Sequence, residues 1–407
     1  MTSHTRSVKY QRGGPLQGVR VVELTKVWAG PYAGKQLAYL GAEVIRIESE
    51  GSLDVTRVYG VKDINRAPGF QAVNPEKLSA QINMKSDKGI NLILDLLKEA
   101  DIVIENLRPG AIERLGLGYE RVKEVNPAIV YTSMGMYGSE GPLAYQTGYA
   151  PCFVALGGVS ALAGYESEPP TGINIRYADS TFGTAAAVAT AAGYYHARRT
   201  GEGQFIDVSA VESMTSMIGD AVMDYTLNGH VRQADGNRHE DMAPHGVYPC
   251  QDQEWVCIAA GDDQQWQRLA TATGIEGLAK DPRFSRLSDR KANETELDAI
   301  LAEWTRDKAA ADLALTLQQQ GVAACKSFSS IDLISDHHLW AKGFYSDVNY
   351  PDGDSRPTTG PGWTMSRGAA IERGAPSLGQ HNAYIFGEVL GLSEEEQAAL
   401  SNEGVTK

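Results

Sequence analysis

The sequence predicts an α/β protein: a large domain on an open parallel sheet, with a smaller α/β domain in the C-terminal half. Three observations predict it. Short β-branched runs alternate with apolar-periodic helical stretches from residue 18 to about residue 227, and this alternation favours parallel strands joined by right-handed crossovers. From Asn228 the texture changes to loops rich in His, Asp and Gly, then to a compact segment with tryptophans at 255, 266 and 304. At 407 residues the chain is also too long for one compact core. The expected bounds are 1–227 for the N-terminal part of the large domain, 228–340 for the small domain and 341–407 for a segment returning to the large one.

Taken in order, Gly18 to Leu24 reads as a buried strand, β-branched and bounded by glycine. Thr25 to Pro31 turns the chain, and a helix is expected from Pro31, a residue tolerated at the first helical position, to Tyr39, with Gly41 as its stop. Ala42 to Glu48 is the next strand, which completes a strand–helix–strand unit with parallel pairing. Such a unit raises the possibility of a dinucleotide site, with Glu48 about where a ribose-binding acid stands. The turn, however, reads Trp28-Ala29-Gly30-Pro31-Tyr32-Ala33-Gly34 and not G-x-G-x-x-G. Pro31 also removes an N–H that a pyrophosphate would need.

The pattern then repeats. A helix is expected over Asp87 to Ala100, with Ile90, Ile93, Leu94 and Leu97 on one face. A strand at Ile102 to Ile104 leads into the Pro-Gly turn Glu105-Asn106-Leu107-Arg108-Pro109-Gly110. Short helices follow at Ala111 to Leu115 and Tyr119 to Glu124, then a strand at Ala128 to Ser133 and a glycine-punctuated loop to Gly141. Beyond these come an alanine-rich helix at Thr184 to Ala197, a basic turn, a strand at Phe205 to Ser209 and a helix at Glu212 to Leu227.

Composition bounds the function. Hydrophobic and charged contents of 42% and 22% are those of an ordinary globular protein. No apolar run approaches the length of a membrane span, and the polar start through Arg6 lacks a signal-peptide core. The first dozen residues read as a loose arm. A net charge of −14 opposes nucleic-acid binding, so an anionic ligand needs a local basic pocket. Cys152, Cys250, Cys257 and Cys325 are scattered without a C-x-x-C pair, which favours reduced thiols, no metal and a cytoplasmic setting.

One stretch joins the glycine-rich run to the alanine-rich helix: Asn174-Ile175-Arg176-Tyr177-Ala178-Asp179-Ser180-Thr181-Phe182-Gly183. An acid there faces the unpaired N–H groups and positive dipole end of a helix. Asp179 therefore reads either as a helix N-cap or as a carboxylate nucleophile.

A chain of motifs decides further. Pro15 to Leu24, Ala29-Gly30-Pro31, Leu40 to Glu48 and Glu105 to Gly110 are followed by Thr200 to Gln204, Asp281-Pro282-Arg283-Phe284 and Leu378-Gly379-Gln380-His381. From residue 15 to about 395 the sequence resembles the class III CoA-transferases, the family of formyl-CoA and carnitine CoA-transferases that also contains α-methylacyl-CoA racemase. The resemblance implies a Rossmann-like large domain built from both chain ends, an inserted small domain, and two chains interlocked as a homodimer or a heterodimer of related subunits. It places the catalytic aspartate at Asp179. It places coenzyme A against Val27, Trp28 and Ala29 in the first turn and against Arg46, Lys85, Asn106, Leu107 and Arg114. Each of these alone also reads as a surface or structural residue, and Arg46 as the partner of a neighbouring acid. The implied partners are an acyl-CoA and a free carboxylic acid; CoA enters as a thioester substrate and no permanently bound cofactor is implied.

The chemistry suits a carboxylate. With an ordinary pKa of about 3.9 it is ionised at neutral pH and needs no general base. It attacks an acyl-CoA to give an acyl–aspartyl anhydride and CoA thiolate, which then returns to form an aspartyl-CoA thioester. Backbone N–H groups near the helix start can hold the oxyanions of the tetrahedral states. The racemases of the family instead use a histidine and an aspartate in a Gly-His-Asp triplet. Here the triplet is Gly148-Tyr149-Ala150; a tyrosine with an ordinary pKa near 10 is a poor base, and alanine does no proton chemistry.

The loop Gly236 to His245 lacks the glycine run of the oxalate-linked enzymes and resembles the carnitine type. Arg238 and His239 are its candidate substrate contacts, Tyr149 is a third outside the loop, and the loop is expected to close over Asp179. His239, Glu240, Asp241 and His245 match no metal-ligand spacing. G-x-S-x-G is absent, which disfavours a thioesterase. The expected activity is CoA transfer from a donor such as succinyl-CoA to an acid that is bulky or aromatic. The alternatives are a racemase and a non-catalytic subunit of a heteromeric transferase.

Overall fold

The computed structural model of the chain describes residues 9–173 and 176–407. Part of the expected N-terminal arm and the Asn174-Ile175 start of the focal stretch lie outside the described residues. Strands β1 (Arg20–Leu24), β2 (Glu43–Glu48), β3 (Leu78–Gln81), β4 (Ile102–Glu105), β5 (Val130–Gly135) and β6 (Gln204–Ser209) form one sheet. Their order is β3-β2-β1-β4-β5-β6 and every neighbouring pair is parallel. This is the doubly wound order of a Rossmann-like sheet.

The helices of this part of the chain are α1 (Ala29–Tyr39), α2 (Val55–Val58), α3 (Pro68–Val73), α4 (Asp87–Lys98), α5 (Ala111–Arg114), α6 (Tyr119–Val125), α7 (Ala150–Leu156), α8 (Tyr177–Thr200), α9 (Ala210–Thr215) and α10 (Gly219–Asn228). Both faces of the sheet are covered, so β1, β2 and β4 are buried along their whole length. Val21, Ile102 and Ile104 pack with Ala33 and Leu37 of α1 and Phe182 and Ala186 of α8. On the other face Val22, Ile45 and Val103 pack with Ile93 and Leu97 of α4 and Val122 of α6.

The helix expected at Glu212 to Leu227 is instead two, α9 and α10, separated by a 3-10 turn at Ser216–Ile218, and two other helix starts differ from expectation. The first helix begins at Ala29, not at Pro31, so Pro31 is its third residue, still within the turn whose N–H groups have no helical partner. The alanine-rich helix begins at Tyr177, seven residues before Thr184. Asp179 is thus the third residue of its first turn, and the N-cap position belongs to Arg176, which makes no side-chain cap. The extra turns exist because α8 packs tightly on α1: a β-carbon at Gly183 would stand 2.5 Å from the Ala29 carbonyl oxygen. That close approach brings the start of α8 beside the start of α1.

The chain divides into two compact units, one of Met1–Ser160, Gly172–Val231 and His338–Lys407 and another of Ala161–Thr171 and Arg232–His337. The second holds the antiparallel sheet β7 (His245–Pro249), β8 (Trp255–Ala259) and β9 (Ala323–Lys326). Helices α11 (Asp263–Thr273), α12 (Leu287–Ala292), α13 (Glu294–Thr305) and α14 (Ala310–Gln319) cover one face of it. Its core centres on Trp266, packed edge-on to Phe284. In the C-terminal segment β10 (Tyr345–Asn349) and β11 (Ser355–Thr359) pair antiparallel. No helix among the described residues is long and apolar enough to cross a membrane.

Candidate active site

The strand order locates the site. From β1 the chain crosses by α1 to β2 on one side, and from β4 by α6 to β5 on the other, which leaves a crevice at the carboxyl ends of β1 and β4. A cavity of about 340 Å³ lies there. Its walls are the turn Lys26 to Ala29 after β1, the turn Asn106 to Pro109 after β4, and Met134 to Met136 at the end of β5. Leu53, Val55 and Gln146 to Gly148 also line it, and Tyr149, Phe153, Asp179 and Phe182 face it from α7 and α8 or their starts.

Each wall is held by side chains that the sequence supplies locally. The Asn106 carboxamide accepts the Lys26 N–H at 2.7 Å and donates to the Lys26 carbonyl at 2.9 Å, which ties the two turns together. Asp54 accepts the N–H of Val27 at 3.0 Å. That bond stabilises Val27 at a φ of 71°, a left-handed conformation unfavourable for a β-branched residue. Buried Glu105 accepts the Leu107 N–H at 2.9 Å and the Ser133 hydroxyl, linking β4 to β5; burial pushes its carboxyl up to about 7. The Trp28 indole donates to the Ser180 hydroxyl at 3.3 Å while the Arg176 guanidinium lies 5.1 Å from its ring centre.

Asp179 is only 7% exposed, and what remains open faces the cavity. Its carboxylate accepts no hydrogen bond and makes no ion pair among the described residues. Burial pushes its pKa up to about 6, against the opposing pull of Arg176. At pH 7 it is therefore roughly nine-tenths ionised, yet more basic than an ordinary aspartate. A desolvated anion without partners is a reactive one.

The structure brings together seven of the residues proposed from sequence: Val27, Trp28, Ala29, Asn106, Leu107, Tyr149 and Asp179. Arg46 is a correction. It is fully buried, with ion pairs to Glu23 at 2.7 Å, to Glu48 at 3.1 Å and to Asp54, so its guanidinium has no face for a ligand. The alternative of pairing with neighbouring acids is what β2 requires, since a cation on a strand buried on both faces must be neutralised. Lys85 and Arg114 are exposed and lie outside the cavity wall. The Lys85 charge still acts on Lys26, and Arg114 lies across Gly110.

Arg238 and His239 belong to the second unit. Arg238 donates to the Thr295 hydroxyl at 2.8 Å and pairs with Glu166 at 3.6 Å and Glu294 at 3.7 Å. His239 accepts the Asp241 N–H on its Nδ1 at 3.0 Å. Sequence reasoning missed two cavity cations, Lys26 and Arg108. Lys26 donates to the Ser52 hydroxyl at 2.6 Å, and burial lowers its pKa. Their signal was adjacency: each sits in a turn already singled out.

A bare buried carboxylate thus shares one crevice with the cations Lys26 and Arg108 at the switch point of the sheet. The chain belongs to CoA-transferase family III, whose model matches residues 16–382. It is 34% identical over 388 residues to the succinyl-CoA–D-citramalate CoA-transferase of Chloroflexus aurantiacus, covering 95% of this chain and 96% of that one. It is 31% identical to the succinate–glutarate CoA-transferase of Agrobacterium fabrum, with 93% and 96% covered. Among solved structures, a CaiB/BaiF family protein from Brucella suis superposes with a TM-score of 0.86 at 33% identity, over 93% of this chain and all of that one. CoA thioesters are accordingly its substrates.

Proposed function

We propose that the protein moves CoA from succinyl-CoA to a free carboxylic acid through covalent intermediates on Asp179. The observation that carries this reading is the buried Asp179 carboxylate, unpaired and facing the cavity. Asp179 attacks the thioester carbonyl, forming an anhydride and releasing CoA thiolate. The thiolate attacks the aspartyl carbonyl, forming aspartyl-CoA and releasing succinate. The acceptor carboxylate repeats the two steps in reverse and leaves as its CoA ester. Lys26 and Arg108 supply positive charge for the CoA phosphates, and the relatives that act on succinyl-CoA or succinate support the donor. Met134, Met136, Phe153 and Phe182 give the cavity an apolar wall suited to an acceptor with an apolar or aromatic body.

The test is mass spectrometry after incubation with a panel of acyl-CoAs, trapping with hydroxylamine or borohydride. The expected result is a modification on Asp179 with succinyl-CoA, absent in Asp179→Asn. No modification, together with α-proton exchange of a branched acyl-CoA in deuterated water, would replace this reading by the racemase. Silence in both assays would leave a non-catalytic subunit.

Arg238, paired within its own unit with the largely exposed Glu166, is proposed to contribute to acceptor selection. Arg238→Ala is expected to raise the acceptor KM about tenfold with little change in donor KM. Unchanged acceptor kinetics would remove the assignment.

The working form is proposed to be an interlocked dimer. Val222, Met223, Tyr225 and Leu227 of α10 are 44% to 73% exposed, apolar side chains that a second chain would cover. Light scattering should give twice the chain mass, with no folded monomer on dilution; a stable monomer would contradict it.

A further inference from the structure

The small sheet carries two thiols that the transfer reaction does not use. Its antiparallel register sets Cys257 of β8 directly opposite Cys325 of β9. The Ser327 N–H donates to the Trp255 carbonyl at 2.9 Å, which makes Trp255 and Ser327 a hydrogen-bonded cross-strand pair. Two residues along, Cys257 and Cys325 are the next such pair, where α-carbons stand about 5.5 Å apart. That spacing falls within the range disulfides span. The side chains of the pair share the face opposite to Val256 and Ile258, which are buried in the core. Cys325 is exposed and Cys257 half-buried. Burial, and then the Cys325 thiol beside it, raise the Cys257 pKa above its ordinary value. The exposed Cys325 is therefore the attacking thiol, and Cys257 the one that resolves.

We propose that Cys257 and Cys325 form a reversible dithiol–disulfide site addressed by low-molecular-weight disulfides. The Cys325 thiolate attacks one sulfur of the small disulfide, breaks its S–S bond and expels one thiolate. That thiolate takes up the proton Cys325 released. Cys257 then loses its proton and attacks Sγ of Cys325, forming the protein disulfide and expelling the second small thiol. Two protein thiols are oxidised and one small disulfide is reduced to two thiols. Directly opposed strand residues hold their β-carbons slightly farther apart than an unstrained disulfide prefers, so the bond is readily reduced again.

The test is incubation of the full-length protein with oxidised glutathione, acid quench, and thiol counting in denaturant. Cys257 and Cys325 are expected to lose their thiols together, as a single cross-linked peptide pair with no glutathione retained on either, whatever the exposed Cys152 does. Dithiothreitol should restore all four thiols. Cys257→Ser should instead hold a stable glutathione adduct on Cys325, because the resolving thiol is gone. A stable adduct on Cys325 in the unaltered protein, a link between two chains, or four surviving thiols would each overturn the proposal.

Discussion

Replacing Asp179 with asparagine is expected to abolish CoA transfer, by about 10⁴-fold or more in kcat, and at the same time to stabilise the fold. The first effect follows from removing the proposed nucleophile, for which no other carboxylate among the described residues lines the cavity. The second follows from its protonation. The folded pKa of about 6 lies above the unfolded value near 3.8, so the folded state holds this proton more tightly than the unfolded state does. Ionised Asp179 therefore destabilises the native protein above pH 6, by about 2–3 kcal/mol at neutral pH, and the penalty vanishes below about pH 4. Asparagine carries none of it.

Thermal scans at equal protein concentration should show Asp179→Asn melting a few degrees higher at pH 7.5 and together with the parent protein at pH 4. The same titration should give kcat/KM an ascending limb with an apparent pKa of about 6 in the free enzyme. A variant that loses activity but melts lower at pH 7.5 would show that Asp179 is a structural cap and not a strained nucleophile.

The site's position was legible where local chemistry decides it. The turns at Val27 to Ala29 and at Asn106-Leu107 follow β-branched strands and end in glycine or proline, so their place at strand ends could be read residue by residue. The switch point between β1 and β4 could not, because strand order depends on pairings between residues about eighty positions apart, such as Val22 with Val103. The start of α8 was misplaced because alanine dominates its middle, while the turn Tyr177 to Gly183 owes its helicity to packing on α1. Arg46 was ambiguous for a related reason. In a strand buried on both faces, side-chain alternation no longer separates ligand-facing from core-facing residues, and two of its acidic partners, Glu23 and Asp54, lie on other segments.

The buried network around Arg46 carries the larger stability effect. Arg46 is neutralised by Glu23, Glu48 and Asp54, while Lys77 pairs with Glu23 at 2.7 Å and Arg57 with Glu48 at 3.0 Å. Burial works against the Arg46 charge, yet the three acids hold its pKa above the ordinary value; Arg46 and Arg57 hold Glu48 down at about 2. Arg46→Ala removes the cation that Asp54 pairs with and leaves three carboxylates underneutralised in a dry core. The expected loss is about 3–5 kcal/mol at pH 7.5. The loss should shrink toward pH 4, where the parent protein begins to lose what the depressed Glu48 contributes.

Asp54 also holds Val27, so the damage reaches the cavity: the acyl-CoA KM should rise even in whatever fraction stays folded. A surface cation that bound CoA phosphate would behave differently, raising KM with Tm unchanged. Denaturant titration of Arg46→Ala beside acyl-CoA kinetics separates the two. An unaltered midpoint with a raised KM would return Arg46 to the ligand-binding role that its burial argues against.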